Sequence, residues 1–162
     1  MAEHDPPSPA RRNYPAYDED FAAWVQSQAA LLRAHRFDEL DIANLVEEVE
    51  SVGRSEFRAF VSAVELIILH MMKWDYQPER QGRSWRVTIL TQRRMVNRLL
   101  KENPSFKARI AEAIDDAYSV VPALVEQATT IPAHRLPESC PYSWDDIMTR
   151  LHDLDPDRPW PN

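Results

Sequence analysis

This 162-residue sequence has only two glycines, one cysteine and no long apolar run. Each of these shortages excludes a class of site or of protein. Two glycines can hardly form a Gly-rich phosphate-binding loop. A lone cysteine, Cys140, excludes an intramolecular disulfide and a paired-cysteine metal site. No stretch approaches the ~18 apolar residues of a membrane span, and the N-terminus lacks the apolar core of a secretory signal. We therefore expect a cytoplasmic protein without membrane association.

Strand patterns are also scarce, because no segment alternates apolar and polar residues for long, whereas apolar residues recur at three and four positions throughout. The sequence predicts an all-α fold: a helical bundle of about four helices plus a short C-terminal helix, with antiparallel neighbours. We expect a single domain over residues 17–154. A proline-rich flexible arm would precede it at 1–16, and an irregular tail would follow at 155–162.

Capping residues predict where these helices begin. The predicted N-caps are Asp18, either Asp38 or Asp41, Ser84, Asn103 and Ser143. Pro104 suits the first position of the fourth helix, whereas Pro122 should bend or break that helix. Gly53 interrupts the pattern of the second helix, which either kinks there or continues.

Charge is distributed unevenly along the chain. Residues 80–109 carry nine bases against one acid, whereas residues 1–65 carry six bases against thirteen acids. Two interpretations stay open. The basic block could pair with acids of its own fold, for which the candidates are Glu47, Glu48, Asp115 and Asp116. It could instead bind nucleic acid through one helical face formed by Arg83, Arg94, Arg98 and Lys101.

A second cluster of polar and aromatic residues flanks the link between the second and third helices. Helical spacing places His70, Lys73 and Trp74 on one face, which residues of the next helix could meet. The full candidate set is His70, Lys73, Trp74, Gln77, Trp85, Gln92 and Arg93. These residues could line a pocket for a small ligand or for proton transfer. Alternatively, they form a buried polar network that fixes how the helices pack.

Signatures of catalysis and metal binding are missing from the sequence. No Glu stands three residues before a His, and no HExxH motif occurs. Cys140 lies between Ser139 and Pro141 without the surroundings of an activated thiolate. We therefore predict no catalytic residue, no metal and no cofactor.

Several segments together resemble a known bacterial family of small helical proteins, the domain of unknown function numbered twenty-nine. The segments are YDEDFAAWVQSQAALLR at 17–33, FDELDIANLVEEVESVGRSE at 37–56, LHMMKWDYQPER at 69–80, SWRVTILTQRR at 84–94, ENPSFK at 102–107 and PESCPYSWDDI at 137–147. The resemblance implies an all-helical bundle and carries over no catalytic residue. The missing catalytic signatures and the uneven charge lead us to expect an interaction or assembly module with a protein partner or a second copy.

Overall fold

The computed structural model describes residues 15–153, so most of the predicted arm (1–14) and the predicted tail (from 154) lie outside it. The α-helices are α1 (Phe21–Arg33), α2 (Ile42–Tyr76), α3 (Arg83–Glu102), α4 (Ile110–Ala128) and α5 (Trp144–Thr149). No strand occurs between residues 15 and 153, which confirms the all-α prediction. Within the same range, every helix is too short or too polar to span a lipid bilayer.

The chain divides into two compact units, Met1–Arg54 and Ser55–Asn162. The helix α2 contributes its first part to one unit and its second part to the other, and it continues without a break through Gly53. Gly53 has open space around it, so no packing constraint requires a glycine there.

In the first unit, α1 begins two residues later than predicted. Asp20, not Asp18, is the N-cap, and its carboxylate accepts from the Ala23 amide at 3.0 Å. The helix ends at Arg33, and His35, two residues later, has a φ of 57°, in the left-handed region that usually favours glycine. Two backbone amides donate to carbonyls in the last turn of the helix: His35 donates to Leu32 O and Arg36 donates to Leu31 O. This arrangement turns the chain toward a short 3-10 helix, Phe37–Glu39.

In the second unit, one apolar core joins the later part of α2 to α3, α4 and α5. Phe60, Ile67 and Met71 of α2 are completely buried in it. Phe106 packs edge-to-face on Phe57 with ring centroids 5.3 Å apart. Burying such side chains contributes about 1.5–3 kcal/mol each, so the core accounts for much of this unit's stability.

The helix starts of the second unit differ partly from the prediction. The N-cap of α3 is Gly82, so Ser84 already lies inside the helix. Asn103 and Pro104 do begin a helical segment, but it is a 3-10 helix, Pro104–Arg109, and α4 starts only at Ile110. Pro122 was predicted to bend or break α4; it does not break the helix, which continues to Ala128 with Val121 and Val125 buried in the core.

The start of α5 agrees with the prediction. Ser143 forms a capping box with Asp146, in which each side chain accepts from the other residue's backbone amide. This cap fixes a helix of only six residues, which would be too short to persist on its own.

Candidate functional site

The outward side of α3 carries a mixed basic and apolar surface. Spacings of three and four residues bring its members to one side of the helix, and all of them are exposed. We call this surface the basic face: Arg83, Val87, Leu90, Arg94, Arg98 and Lys101. Val87 is 50% exposed and Leu90 is 44% exposed, although both are apolar.

The cations of the basic face have few partners in their own unit. Arg98 lies 4.0 Å from Glu102, one turn later, and also contacts the sulfur of Met95. Arg83, Arg94 and Lys101 form no ion pair with any residue between 55 and 153. Asp115 and Asp116 therefore form no direct ion pair with Arg83, Arg94, Arg98 or Lys101.

At the C-terminal end of the basic block, Arg109 has carboxylate neighbours in α4: Glu112 and, to a lesser extent, Asp116 raise its pKa. Arg109 pairs at 2.5 Å with Glu112, three residues later, and its guanidinium stacks on Phe57 at 3.4 Å. In the first unit, the Glu48 carboxylate accepts a hydrogen bond from the Tyr17 hydroxyl. The basic face thus keeps most of its positive charge uncompensated by nearby carboxylates of its unit.

Next to the basic face on α3, Arg93 anchors the helix to α5. Its guanidinium is 8% exposed and donates from Nε to Ile147 O at 2.7 Å. It also donates from Nη1 to Arg150 O at 2.9 Å and from Nη2 to Asp146 O at 3.1 Å. These carbonyls lie in α5 and at its C-cap, Arg150, and the Asp146 carbonyl also accepts from the Arg150 amide at 3.1 Å. Burial lowers the pKa of Arg93 from its ordinary value, but an arginine stays protonated there.

A second contact ties the end of α5 to the end of α2. Arg150 binds Asp75 through two hydrogen bonds of 2.6 and 2.8 Å, and Tyr142 donates to the same carboxylate at 2.8 Å. Burial alone would raise the pKa of Asp75, but the hydrogen bonds from Arg150 and Tyr142 outweigh it and lower that pKa. Burial and the bond to Asp75 raise the pKa of Tyr142, so it remains a neutral donor.

His152 completes this cluster. Its ring is buried and meets Trp74 edge-to-face, with centroids 5.2 Å apart. Burial, followed by the positive charges of Arg93 and Arg150, lowers the pKa of His152 to about 4. The imidazole is therefore neutral at neutral pH. We call Asp75, Arg93, Tyr142, Arg150 and His152 the polar lock.

The residues of the predicted pocket have separate local roles in the structure. His70 places Nδ1 2.8 Å from Leu66 O, and burial is the main cause that lowers its pKa. The Lys73 ammonium lies 4.8 Å from the ring centroid of half-buried Trp85. Trp74 packs on His152, while Arg93 is directed to α5. The structure thus brings Lys73 to Trp85. Trp74 instead packs on His152 of the polar lock, and Arg93 is itself part of that cluster.

The two remaining members, Gln77 and Gln92, add little to a ligand site. Gln77 is buried, and its Oε1 has no hydrogen-bond partner among the described residues. Gln92 is half-buried on the inner side of α3. A pocket formed by the whole set remains a prediction.

Cavities occur elsewhere in the second unit. A groove of about 330 Å³ lies beside α4, and a smaller cavity of about 40 Å³ lies beside Arg93 and His152. The groove is lined by Asp115, Tyr118, Ser119, Pro122, Glu138, Ser139 and Cys140. Burial raises the pKa of the Cys140 thiol, which favours the protonated thiol over the nucleophilic thiolate. Within residues 15–153 no three His, Cys, Asp or Glu side chains are grouped to hold a metal.

The first unit has an exposed apolar surface of its own. Along the first part of α2, apolar residues follow at spacings of three and four positions and are exposed, whereas Trp24 and Leu31 of α1 are buried. We call this surface the valine face: Ile42, Val46, Val49 and Val52. Val49 is 72% exposed and Val52 is 63% exposed. Residues 15–54 carry nine acids against three bases, so the valine face lies in an acidic unit.

In the same unit, a buried polar contact joins α1 to the start of α2. The buried indole of Trp24 donates to Asp41 Oδ2 at 3.2 Å, and the side-chain amide of Asn44 donates to the same oxygen at 2.8 Å. Gln28 accepts from the Asp41 amide at 2.9 Å. Sequence reasoning recognised Asp41 as a possible cap but missed its partnership with Trp24.

With this geometry in view, we compared the chain with known proteins. The sequence model of the family described as "Domain of unknown function DUF29" matches residues 16–152. Since this is most of the chain, the protein belongs to that family, as the sequence resemblance predicted. No curated protein matches the chain, and no solved structure matches it either.

Proposed function

We propose that this protein is a non-catalytic interaction or assembly module, which binds an acidic and apolar helical surface through the basic face of α3. One observation carries the proposal: Arg83, Arg94 and Lys101 surround exposed Val87 and Leu90 and have no ion pair in their own unit. Exposed apolar side chains rimmed by charge are typical of protein interaction sites.

The polar lock supports this role because it fixes the helix that presents the basic face. Three hydrogen bonds from Arg93 hold α3 to the end of α5. A partner would then bind a surface that is already ordered, which reduces the entropy lost on binding.

Nucleic acid is the second candidate, since the same cations could neutralise phosphates. Two observations favour a protein partner. Apolar Val87 and Leu90 occupy the middle of the basic face, where phosphates would gain nothing from them. Trp85 is half-buried beneath Lys73, so it offers no open ring for base stacking.

We place the activity in the cytoplasm and in one domain of residues 17–154. The small-ligand alternative at His70, Lys73, Trp74 and Trp85 is tested separately. A metabolite panel that raises the melting temperature of the wild type, but not of His70→Ala, would favour it over the interaction module.

The test of the proposed function is a titration with a labelled helical peptide that carries Glu and Leu on one side. Its control peptide has Lys at each Glu position. We expect the full chain to bind the acidic peptide alone, and Arg83→Glu with Arg94→Glu to weaken binding about tenfold or more. Val87→Ser with Leu90→Ser should also weaken it. Binding of DNA or RNA that those serine substitutions leave unchanged, with no binding of the peptide, would contradict the proposal.

A further inference from the structure

The strongest feature that the proposed function leaves unexplained is the valine face. Val46, Val49 and Val52 are each more than half exposed, although a single helix side with such residues is normally covered. Their spacing along α2 forms one continuous apolar stripe. Exposed apolar stripes of this kind are typical of surfaces that bind another helix.

The charges around the two exposed surfaces are opposite in sign. Residues 15–54 have a net charge of −6, from nine acids and three bases. Helix α3 has a net charge of +5, from six bases and one acid. The valine face therefore has the character that the basic face requires of a partner: an apolar helical stripe in an acidic setting.

We infer that the partner of the basic face is the valine face of a second copy of this chain. The inference rests on the proposed function, because it names the partner of the same site. Val87 and Leu90 of one copy would pack on the stripe of the other, while Arg83, Arg94 and Lys101 would face its acids. Such a contact joins two different surfaces, so it forms a closed ring if its rotation closes and a filament if it does not.

A complementation experiment tests this inference directly. One variant, Arg83→Glu with Arg94→Glu, loses the basic face but retains the valine face. The other, Val49→Glu, loses the valine face but retains the basic face. Both changes lie at exposed positions, so both variants should keep the wild-type helix content and melting temperature. Matched controls are Lys107→Glu with Arg135→Glu for the charges, and Val120→Glu for the valine.

Sedimentation velocity over a range of concentrations measures the result. We expect the wild type and both controls to associate, with an affinity that falls between about 50 and 200 mM salt. Each variant alone should be monomeric, with a dissociation constant raised about tenfold or more. An equal mixture should form a 1:1 complex, because one intact contact remains.

The other outcomes would overturn the inference in distinguishable ways. If the Arg variant still associates alone, the valine faces pair with each other; if Val49→Glu still does, the basic faces pair. A wild type that stays monomeric at high concentration would exclude a second copy. Binding of the acidic peptide by that monomer would leave the proposed function standing, whereas its absence would remove both.

Discussion

Arg150 binds Asp75 across 75 residues of sequence, through two hydrogen bonds of 2.6 and 2.8 Å. The pair joins the end of α5 to the end of α2, and Tyr142 donates to the same carboxylate. Because Arg93 holds the carbonyls at the same end of α5, two arginines from different elements define how this short helix sits.

Asp75→Asn should lower the free energy of unfolding by about 1–2 kcal/mol, a value reduced because the Arg150 side chain is 37% exposed. Folding lowers the pKa of Asp75, so its contribution is present above the unfolded pKa and is lost as pH falls through the folded one. Urea unfolding at neutral and acid pH checks this, with Asp145→Asn as the control. An equal loss at both ends of the range would contradict the assignment.

Arg93→Met should cost about 2–4 kcal/mol, because it removes three hydrogen bonds from a largely buried guanidinium to the carbonyls of Asp146, Ile147 and Arg150. Arg93→Lys should fall in between, since one ammonium cannot reproduce the planar fork. Chemical denaturation measures both. Arg94→Met, at the adjacent exposed position, should change stability by less than about 0.5 kcal/mol. Similar losses at 93 and 94 would show that the guanidinium does not cap the helix.

His152 should make stability depend on pH between about 4 and 6.5, its folded and ordinary pKa values. In this window the unfolded chain binds more protons, so the free energy of unfolding falls as pH drops, by about 2–3 kcal/mol. His152→Phe should remove most of that slope. His70, whose pKa is also lowered, would retain a share. Exposed His134→Gln is the control, and a slope unchanged in His152→Phe would refute this role.

Asp41→Ala should destabilise the first unit by about 2–3 kcal/mol, since the buried Trp24 indole loses its acceptor and α2 loses a capping carboxylate. Hydrogen exchange read residue by residue should show faster exchange within residues 15–54 and little change in the core of the second unit. Asp38→Ala, at an exposed position of the same loop, is the matched control. Faster exchange throughout the chain would contradict a local role.

The helices and their buried sides could be predicted from the sequence, because apolar spacing directly reflects which side faces the core. Phe60, Ile67 and Met71 of α2 illustrate this, as does the capping box at Ser143. The exact first residues of the helices were harder to predict from the sequence. Ser84 and Asp18 have good capping chemistry, but Gly82 and Asp20 occupy the N-cap positions.

The polar lock could not be predicted, because its contacts depend on distances in space and not on local spacing. Arg93 sits at the edge of the α3 pattern, and its acceptors are backbone carbonyls 53 to 57 residues away, which have no side-chain signature. His152 and Arg150 follow a helix too short to give a period. The basic face was recognised from its cations, but only the structure gives the exposure of Val87 and Leu90.

An amide NMR titration of the full chain with the acidic helical peptide tests the central claim most directly. The account predicts shifts that saturate with the peptide and concentrate on α3 at Val87, Leu90 and Arg94, while the Lys-substituted peptide produces none. Shifts confined to the His70, Lys73 and Trp85 region, or no shifts at all, would contradict it.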